Sequence, residues 1–391
     1  MFELKVKYKD LYIITLIIYL LCLPLNAMNI GPFGSALKVI AVLPIGVSIL
    51  GGATYTVTKP LRAQAFFTVF AFLSLFWSVS FDDSTGRVLS YVLLFILLMS
   101  GTAFKYGDED IKKIKTALAW SSRMSALTML IFAEYVDGRF RLNGIITEDP
   151  NYMCAYLSFG VIYAISVLAE KSENPKKAKK VLAVIELIVY FYLTLVSGSR
   201  GGLIAITAGA AVYLLTFGNK KHKHLIRKII IAVAIIYLIV RMIDFLPADL
   251  RVRFTADDIT ADGGSGRTDL WKQALDLFSK SGIFKQMCGY GTATIKWCFS
   301  HFNYHNVNVV HNMFIETLAE LGIIGLITYS MAIFSFIKNA FKFKDKFAFA
   351  VIFSMFILSL STSIYTFKPY FNIMLFIVIV QNMQTDTEKV G

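Results

Sequence analysis

The chain is a succession of apolar runs separated by short polar segments. After Lys5, Lys7 and Lys9, one run extends from Leu11 to about Met28. Others lie near 35–52, 63–80, 88–104, 114–133, 152–169, 181–197, 202–217, 226–243, 311–337, 347–365 and 370–383. Most have roughly the 17 to 25 residues that an α-helix needs to cross a bilayer, so the pattern predicts about twelve transmembrane helices. The second run carries Lys38 and the fifth Arg123. The first run has the basic start and apolar middle of a signal peptide. No small-residue cleavage site follows it, so a retained first helix is expected. The longest polar break, from about Asp244 to Val310, predicts one large loop. The expected organisation is a membrane domain over 1–243, a loop over 244–310 and a second membrane domain over 311–391.

Charge gives these runs a direction. With the amino terminus inside, the cytoplasmic segments hold Lys5–Lys9, Lys59 with Arg62, Lys105–Lys115, Lys171–Lys180, Lys220–Lys228 and Lys338–Lys346. The short opposite loops hold only Arg87, Arg139, Arg141, Arg200 and Lys368. Every second loop is therefore basic, as the positive-inside rule requires of an even number of crossings. Both termini are expected in the cytoplasm and the large loop outside, away from ATP and nucleotide sugars. Outer charge is weighted to arginine, with Arg251, Arg253 and Arg267 added by the loop. Arginine binds phosphate oxygens with a bidentate fork, whereas lysine acts as a point charge. Two explanations stay open: outer loops that exclude lysine, or an anionic phosphate ligand.

Composition agrees with a polytopic membrane protein. Of 391 residues, 56% are hydrophobic and 17% charged, against about 25% charged in soluble domains. The net charge of +13 is scattered in short clusters between apolar runs, so it does not form a nucleic-acid face. Cys22 and Cys154 fall in or beside apolar runs, while Cys288 and Cys298 share the loop and have the option of pairing there.

Five polar motifs stand out. Glu148-Asp149-Pro150-Asn151-Tyr152 opens the sixth run, with residues suited to a helix start. Ser197-Gly198-Ser199-Arg200-Gly201-Gly202 joins two runs by a very short turn. An arginine at that depth is expensive unless paired or used, and the next helix offers exposed amides to an anion. In the loop, Gly263-Gly264-Ser265-Gly266 leads into Arg267-Thr268-Asp269-Leu270-Trp271. Apolar residues at 270, 271, 274, 275, 277 and 278 have helical spacing. An amphipathic helix is expected there, on the membrane or on the bundle, with Trp271 as its interfacial anchor and Arg267 in its first turn. Cys288-Gly289-Tyr290-Gly291-Thr292 is a glycine-rich turn without the Gly-Lys-Ser/Thr of a P-loop. His301, His305 and His311 lack the partners and spacing of a zinc site.

The fifth motif is His311 to Gly325, HNMFIETLAELGIIG, where the loop re-enters the apolar part of the chain. Asn312, Glu316 and Glu320 are four apart and form one stripe, while His311 heads another with Ile315 and Leu318. Neither glutamate is expected to meet His311 within the helix. Either is suited to orienting loop groups or binding sugar hydroxyls.

With SGSRGG, SGRTDLW, HN…E…G and EDPNY in view, the chain resembles the O-antigen ligase and Wzy-type polymerase family of bacterial envelope enzymes. The motifs cover the central and carboxy-terminal half; the amino-terminal third matches only as generic spans. One departure is visible: the family often has proline before its Gly-x-Gly turn, and 282–288 contains none. The resemblance implies an all-α, GT-C-like membrane glycosyltransferase in the bacterial cytoplasmic (inner) membrane, inverting, independent of metal and without a cofactor. The implied donor is a glycan on undecaprenyl diphosphate, and the acceptor is a glycan or glycolipid. The diphosphate is assigned to Arg200 and Arg267, and activation of the acceptor hydroxyl to His311. Asn312, Glu320, Asn151 and Ser199 are candidate supporting residues. A chain-length regulator or flippase is a candidate partner. The physical chemistry agrees: arginines stabilise a diphosphate leaving group, and histidine suits a base near neutral pH. The competing class is a transporter of lipid-linked glycan. That class predicts repeated halves and ionisable residues near mid-membrane; no repeat is visible, and only Arg123, Glu186 and Arg241 stand out.

Overall fold

The computed structural model describes residues 2–28, 30, 35–52, 54–136, 139–141, 149–169, 177–216, 222–255 and 266–387. Nine long helices come first: α1 Phe2–Leu21, α2 Ala36–Leu50, α3 Lys59–Leu73, α4 Phe81–Ser100, α5 Asp108–Phe132, α6 Pro150–Ala169, α7 Lys177–Val196, α8 Arg200–Leu215 and α9 His222–Asp244. Among the described residues, α10 Ala248–Val252, α11 Arg267–Lys280, α12 Ile283–Cys288 and α13 Ile295–His301 follow. The chain then returns to long helices with α14 Met313–Lys342, α15 Lys346–Ser359 and α16 Lys368–Thr387. Among the described residues the architecture is all-α apart from one short antiparallel ribbon, β1 Glu134–Val136 with β2 Arg139–Arg141.

A helix overlaps each apolar run read from the sequence. Among the described residues, four stretches are long and apolar enough to cross a membrane by length and composition: Lys59–Trp77, Phe81–Ser100, Pro150–Ala169 and Met313–Lys342. Ala36–Leu50, Arg200–Leu215 and Lys346–Ser359 are apolar but shorter. Charged turns dilute others, such as Asp108, Glu109 and Asp110 at the start of α5. Apolar side chains cover outward faces: on α9, Ile229, Ile230, Val233, Ile236, Tyr237 and Val240 are all exposed. Such surfaces suit lipid, where a helix satisfies its own backbone. The fold is that of a helical membrane protein.

The helices form two compact units. The first comprises Met1–Gly52, Tyr106–Asp258 and Ala340–Leu358. Its centre is α6, buried from Met153 to Ile162 without a break. Small residues let neighbouring helices approach it. A Cβ on Gly160 would lie 2.6 Å from the Tyr190 ring, and one on Gly202 would lie 2.4 Å from Cys154 Sγ. Arg123 of α5 meets Glu186 of α7 at 2.7 Å and lies 4.5 Å from the Trp120 ring. These two charges satisfy each other.

The second unit comprises Ala53–Lys105, Ile259–Asn339 and Ser359–Gly391. Here α11 packs Leu270, Ala274 and Leu277 against Tyr290, Ile295, Cys298, Phe299, Val310 and Ala319. The apolar face of the amphipathic helix is therefore covered by protein. The segment lacking the family's proline is α12, with Gly282 as its extended N-cap. A proline inside it would remove a helical hydrogen bond. All four cysteines are free thiols, so Cys288 and Cys298 are not paired. Burial pushes the Cys298 thiol up to about 12, which keeps it protonated.

Candidate functional site

His311 stands immediately before the α14 N-terminus. Asn312 caps this helix: its side-chain oxygen accepts the amides of Phe314 (3.0 Å) and Ile315 (3.2 Å), two of the donors a helix start leaves unsatisfied. Its amide nitrogen donates to the Leu360 carbonyl at 3.2 Å. His311 is half-buried and takes φ +55°, a left-handed conformation uncommon in residues with a Cβ. The preceding Val310 is fully buried. Its amide donates to Glu316 Oε2 at 2.9 Å, and its carbonyl accepts Trp271 Nε1 at 3.0 Å.

That last contact gives Trp271 a partner within the chain: its indole N–H ties α11 to the segment before His311. Arg267, half-buried, precedes Trp271 by one turn, which sets both on one face of α11. Arg267 is thus on the side of its helix that meets the His311 segment. The glycines and serine at 263–265 lie outside the described residues.

The other loop histidines have duties of their own. His305 Nε2 lies 2.6 Å from Asp269 Oδ2, and His301 stacks on Trp297 with ring centroids 4.4 Å apart. The loop is further tied by Tyr304, whose hydroxyl donates to Asp276 at 2.8 Å. Hydrogen bonds from Lys280 and Tyr304 hold the Asp276 carboxyl below its ordinary value. Burial, then Asp276, pushes the Tyr304 hydroxyl up to about 12.

Glu316 and Glu320 are fully buried and do orient loop groups. Glu316 Oε2 also accepts the Ser363 hydroxyl at 2.5 Å. The Glu320 carboxylate accepts the amides of Ala293 (2.8 Å) and Ile295 (3.1 Å). Arg87 NH1 approaches Glu320 Oε2 to 3.8 Å and Glu316 Oε1 to 4.0 Å, and its guanidinium carbon lies 4.3 Å from the Tyr365 ring centre. Arg87 was expected in a short loop; it belongs to α4 instead. The signal was present: Ser80, whose hydroxyl donates to Asp83, and acidic Asp82 and Asp83 in the first turn mark a helix start well before Arg87.

The glycine turn at 288–292 is a docking piece. Its Gly291 amide donates to the Glu320 carbonyl at 2.9 Å, and the Val79 amide donates to the Tyr290 carbonyl at 3.0 Å. Trp77 Nε1 donates to the Cys288 carbonyl at 3.1 Å, and the Ser84 hydroxyl to that of Thr292 at 2.6 Å.

In the first unit, the structure joins Asn151, Ser199 and Arg200. Ser199 caps α8, accepting the Gly202 amide at 2.9 Å and donating to Asn151 Oδ1 at 2.7 Å. Asp149 Oδ1 in turn accepts the backbone (2.7 Å) and side-chain (3.0 Å) N–H groups of Asn151. The capping expected of the EDPNY motif is present from Asp149 onward; Glu148 lies outside the described residues. Arg200 is half-buried at the first position of α8. Its Nε donates to the Arg253 carbonyl at 2.6 Å, while Arg253 Nε donates to the Gly198 carbonyl at 3.3 Å.

Chemically, the second unit presents an imidazole near an arginine-bearing helix, and the first presents an arginine at a capped helix start. The class they define is a helical membrane protein with arginine and histidine side chains at helix ends. Residues 185–330 match the Wzy_C family model, described as O-antigen ligase. This stretch contains the SGSRGG, SGRTDLW and HN segments, so the family resemblance of those motifs holds there. The chain is similar to a "Putative polysaccharide ligase" of Rickettsia conorii, 24% identical over 76% of this chain and 73% of that one. It is also similar to a protein of the same description from Rickettsia felis, 23% identical over 76% and 72%. The "Exopolysaccharide production protein ExoQ" of Rhizobium meliloti is 26% identical over 68% of this chain, which spans 62% of that protein. Among solved structures, a chain titled "Structural coordination of polymerization and crosslinking by a peptidoglycan synthase complex" aligns over 84% of this chain and 97% of its own. The TM-score is 0.49 and the identity 11%, too low to carry an argument.

Proposed function

We propose that this protein is a polysaccharide polymerase or ligase of the bacterial cytoplasmic membrane. It transfers a glycan from undecaprenyl diphosphate to an acceptor sugar hydroxyl. The observation that carries this reading is the 3.0 Å bond from Trp271 to the Val310 carbonyl. It ties the helix that begins with Arg267 to the residue before His311, within the stretch matching the O-antigen ligase model.

Arg200 and Arg267 hold the diphosphate. Their guanidinium groups take up the negative charge that develops as the glycosidic C–O bond to phosphate breaks, so no metal is required. His311 removes the proton of the acceptor hydroxyl, whose oxygen attacks the anomeric carbon. Single displacement inverts the configuration there, and undecaprenyl diphosphate leaves. The alternating lysine clusters support about twelve crossings, cytoplasmic termini and chemistry at the outer face.

The test uses purified protein in lipid nanodiscs with a defined glycan on undecaprenyl diphosphate. A new glycosidic bond of inverted configuration, formed with chelator present, is the expected product. Extension of a second lipid-linked repeat marks a polymerase; transfer to lipid A-core or another final carrier marks a ligase. In sealed vesicles, translocation of the donor without a new bond would overturn the proposal in favour of a flippase.

A further inference from the structure

We infer that Glu316 is a positioning residue for His311, acting together with Trp271 through Val310; the inference rests on the proposed role of His311 as the base. Both backbone polar groups of Val310 are taken. Its N–H is held by a carboxylate of α14 at 2.9 Å, and its C=O by an indole of α11 at 3.0 Å. The Val310 side chain is buried in the core beneath α11. On the other side of His311, Asn312 is fixed by its cap bonds and by Leu360. His311 is therefore suspended between two pinned residues and takes a left-handed φ of +55°.

A non-glycine residue in that region is strained and persists where its surroundings over-determine it. Glu316 supplies much of that constraint. It is fully buried, and the Ser363 hydroxyl donates to the same oxygen that accepts the Val310 amide, which fixes the carboxylate. The side chain thus does not need to touch substrate; it sets where the imidazole points. Trp271 adds a second input. It lies one turn from Arg267, so the helix assigned to the donor diphosphate and the helix carrying Glu316 converge on the residue before the base.

Replacing Glu316 separates hydrogen bonding from charge. E316Q keeps an acceptor for the Val310 amide, while E316L removes it. Turnover by E316L is expected to fall roughly tenfold to a hundredfold, as when a hydrogen bond to a charged group is lost. Donor KM should stay unchanged, and E316Q should recover most of the rate. W271F is expected to lower kcat roughly fivefold. The double variant E316L/W271F should lose less than the product of the two, because both hold the same residue. W271F lies outside the membrane helices and tests the clamp even if E316L does not fold.

Two results would overturn the inference alone. One is wild-type kcat in E316L or W271F while H311Q is inactive. The other is E316Q as damaged as E316L, which would assign Glu316 to charge pairing with Arg87. Near-normal turnover in H311Q would overturn the base role first and the positioning role with it.

Discussion

The backbone carbonyl of Glu320 accepts the Gly291 amide at 2.9 Å. A helix normally keeps that carbonyl for itself; here α14 breaks at Gly322, with φ +66° and ψ −166°, and frees it. The Gly289 turn fits into the break so closely that an added Cβ would lie 2.0 Å from the Glu320 oxygen. Gly289 also has φ +74°. G289A is therefore expected to destabilise the protein by about 3 kcal/mol or more, since backbone strain and a backbone clash add. Gly282 has open space around its Cβ direction and an ordinary φ of −64°, so G282A serves as the neutral control. Thermal unfolding in detergent compares the two, and equal melting temperatures would refute the docked turn. E320L should resemble G289A, because Glu320 holds this turn by its carboxylate as well.

For donor binding, R200A and R267A are each expected to abolish transfer without loss of the folded protein. R200K and R267K should recover little, because lysine lacks the bidentate fork. Donor titration and initial rates check this. Full activity of R200K would reduce Arg200 to charge balance.

For the base, H311Q is expected to remove transfer while leaving donor affinity largely intact. In the wild type the rate should fall as pH drops through the imidazole's titration, ordinarily near about 6.5, because protonation removes the base. Rate against pH, measured beside donor affinity, decides. Loss of donor binding in step with activity would move His311 from base to ligand.

Arg123 and Glu186 form a half-buried ion pair at 2.7 Å, with side chains 20% and 11% exposed. Removing one partner strands the other charge, so R123M is expected to cost about 1 to 3 kcal/mol, and R123M/E186M to recover most of it. Unfolding of both variants is the measurement. A double variant no better than R123M would show that the guanidinium contributes through Trp120 instead.

The proposed topology predicts that an impermeant thiol reagent labels S279C but not K177C in intact cells or spheroplasts, on a background without the native cysteines. Both positions are exposed. The reverse pattern would invert the orientation.

Much of the architecture was legible in the chain itself. Long apolar runs must become helices in lipid, because only a helix satisfies its own backbone there. Local chemistry also announced itself: Asn312 and Ser199 cap α14 and α8 as their residue types suggest, and the SGSRGG, SGRTDLW and HN motifs lie in the stretch that matches the O-antigen ligase model. The four-residue spacing of Glu316 and Glu320 placed them on one helical face. What only the tertiary structure decided is what that face meets. Val310, Ala293 and Ile295 for the two carboxylates, Val310 for Trp271, and the two carboxylates for Arg87 are pairings across chain segments. Helical periodicity fixes the direction of a side chain but not the partner folded against it, and a buried carboxylate takes whichever amides the packing delivers.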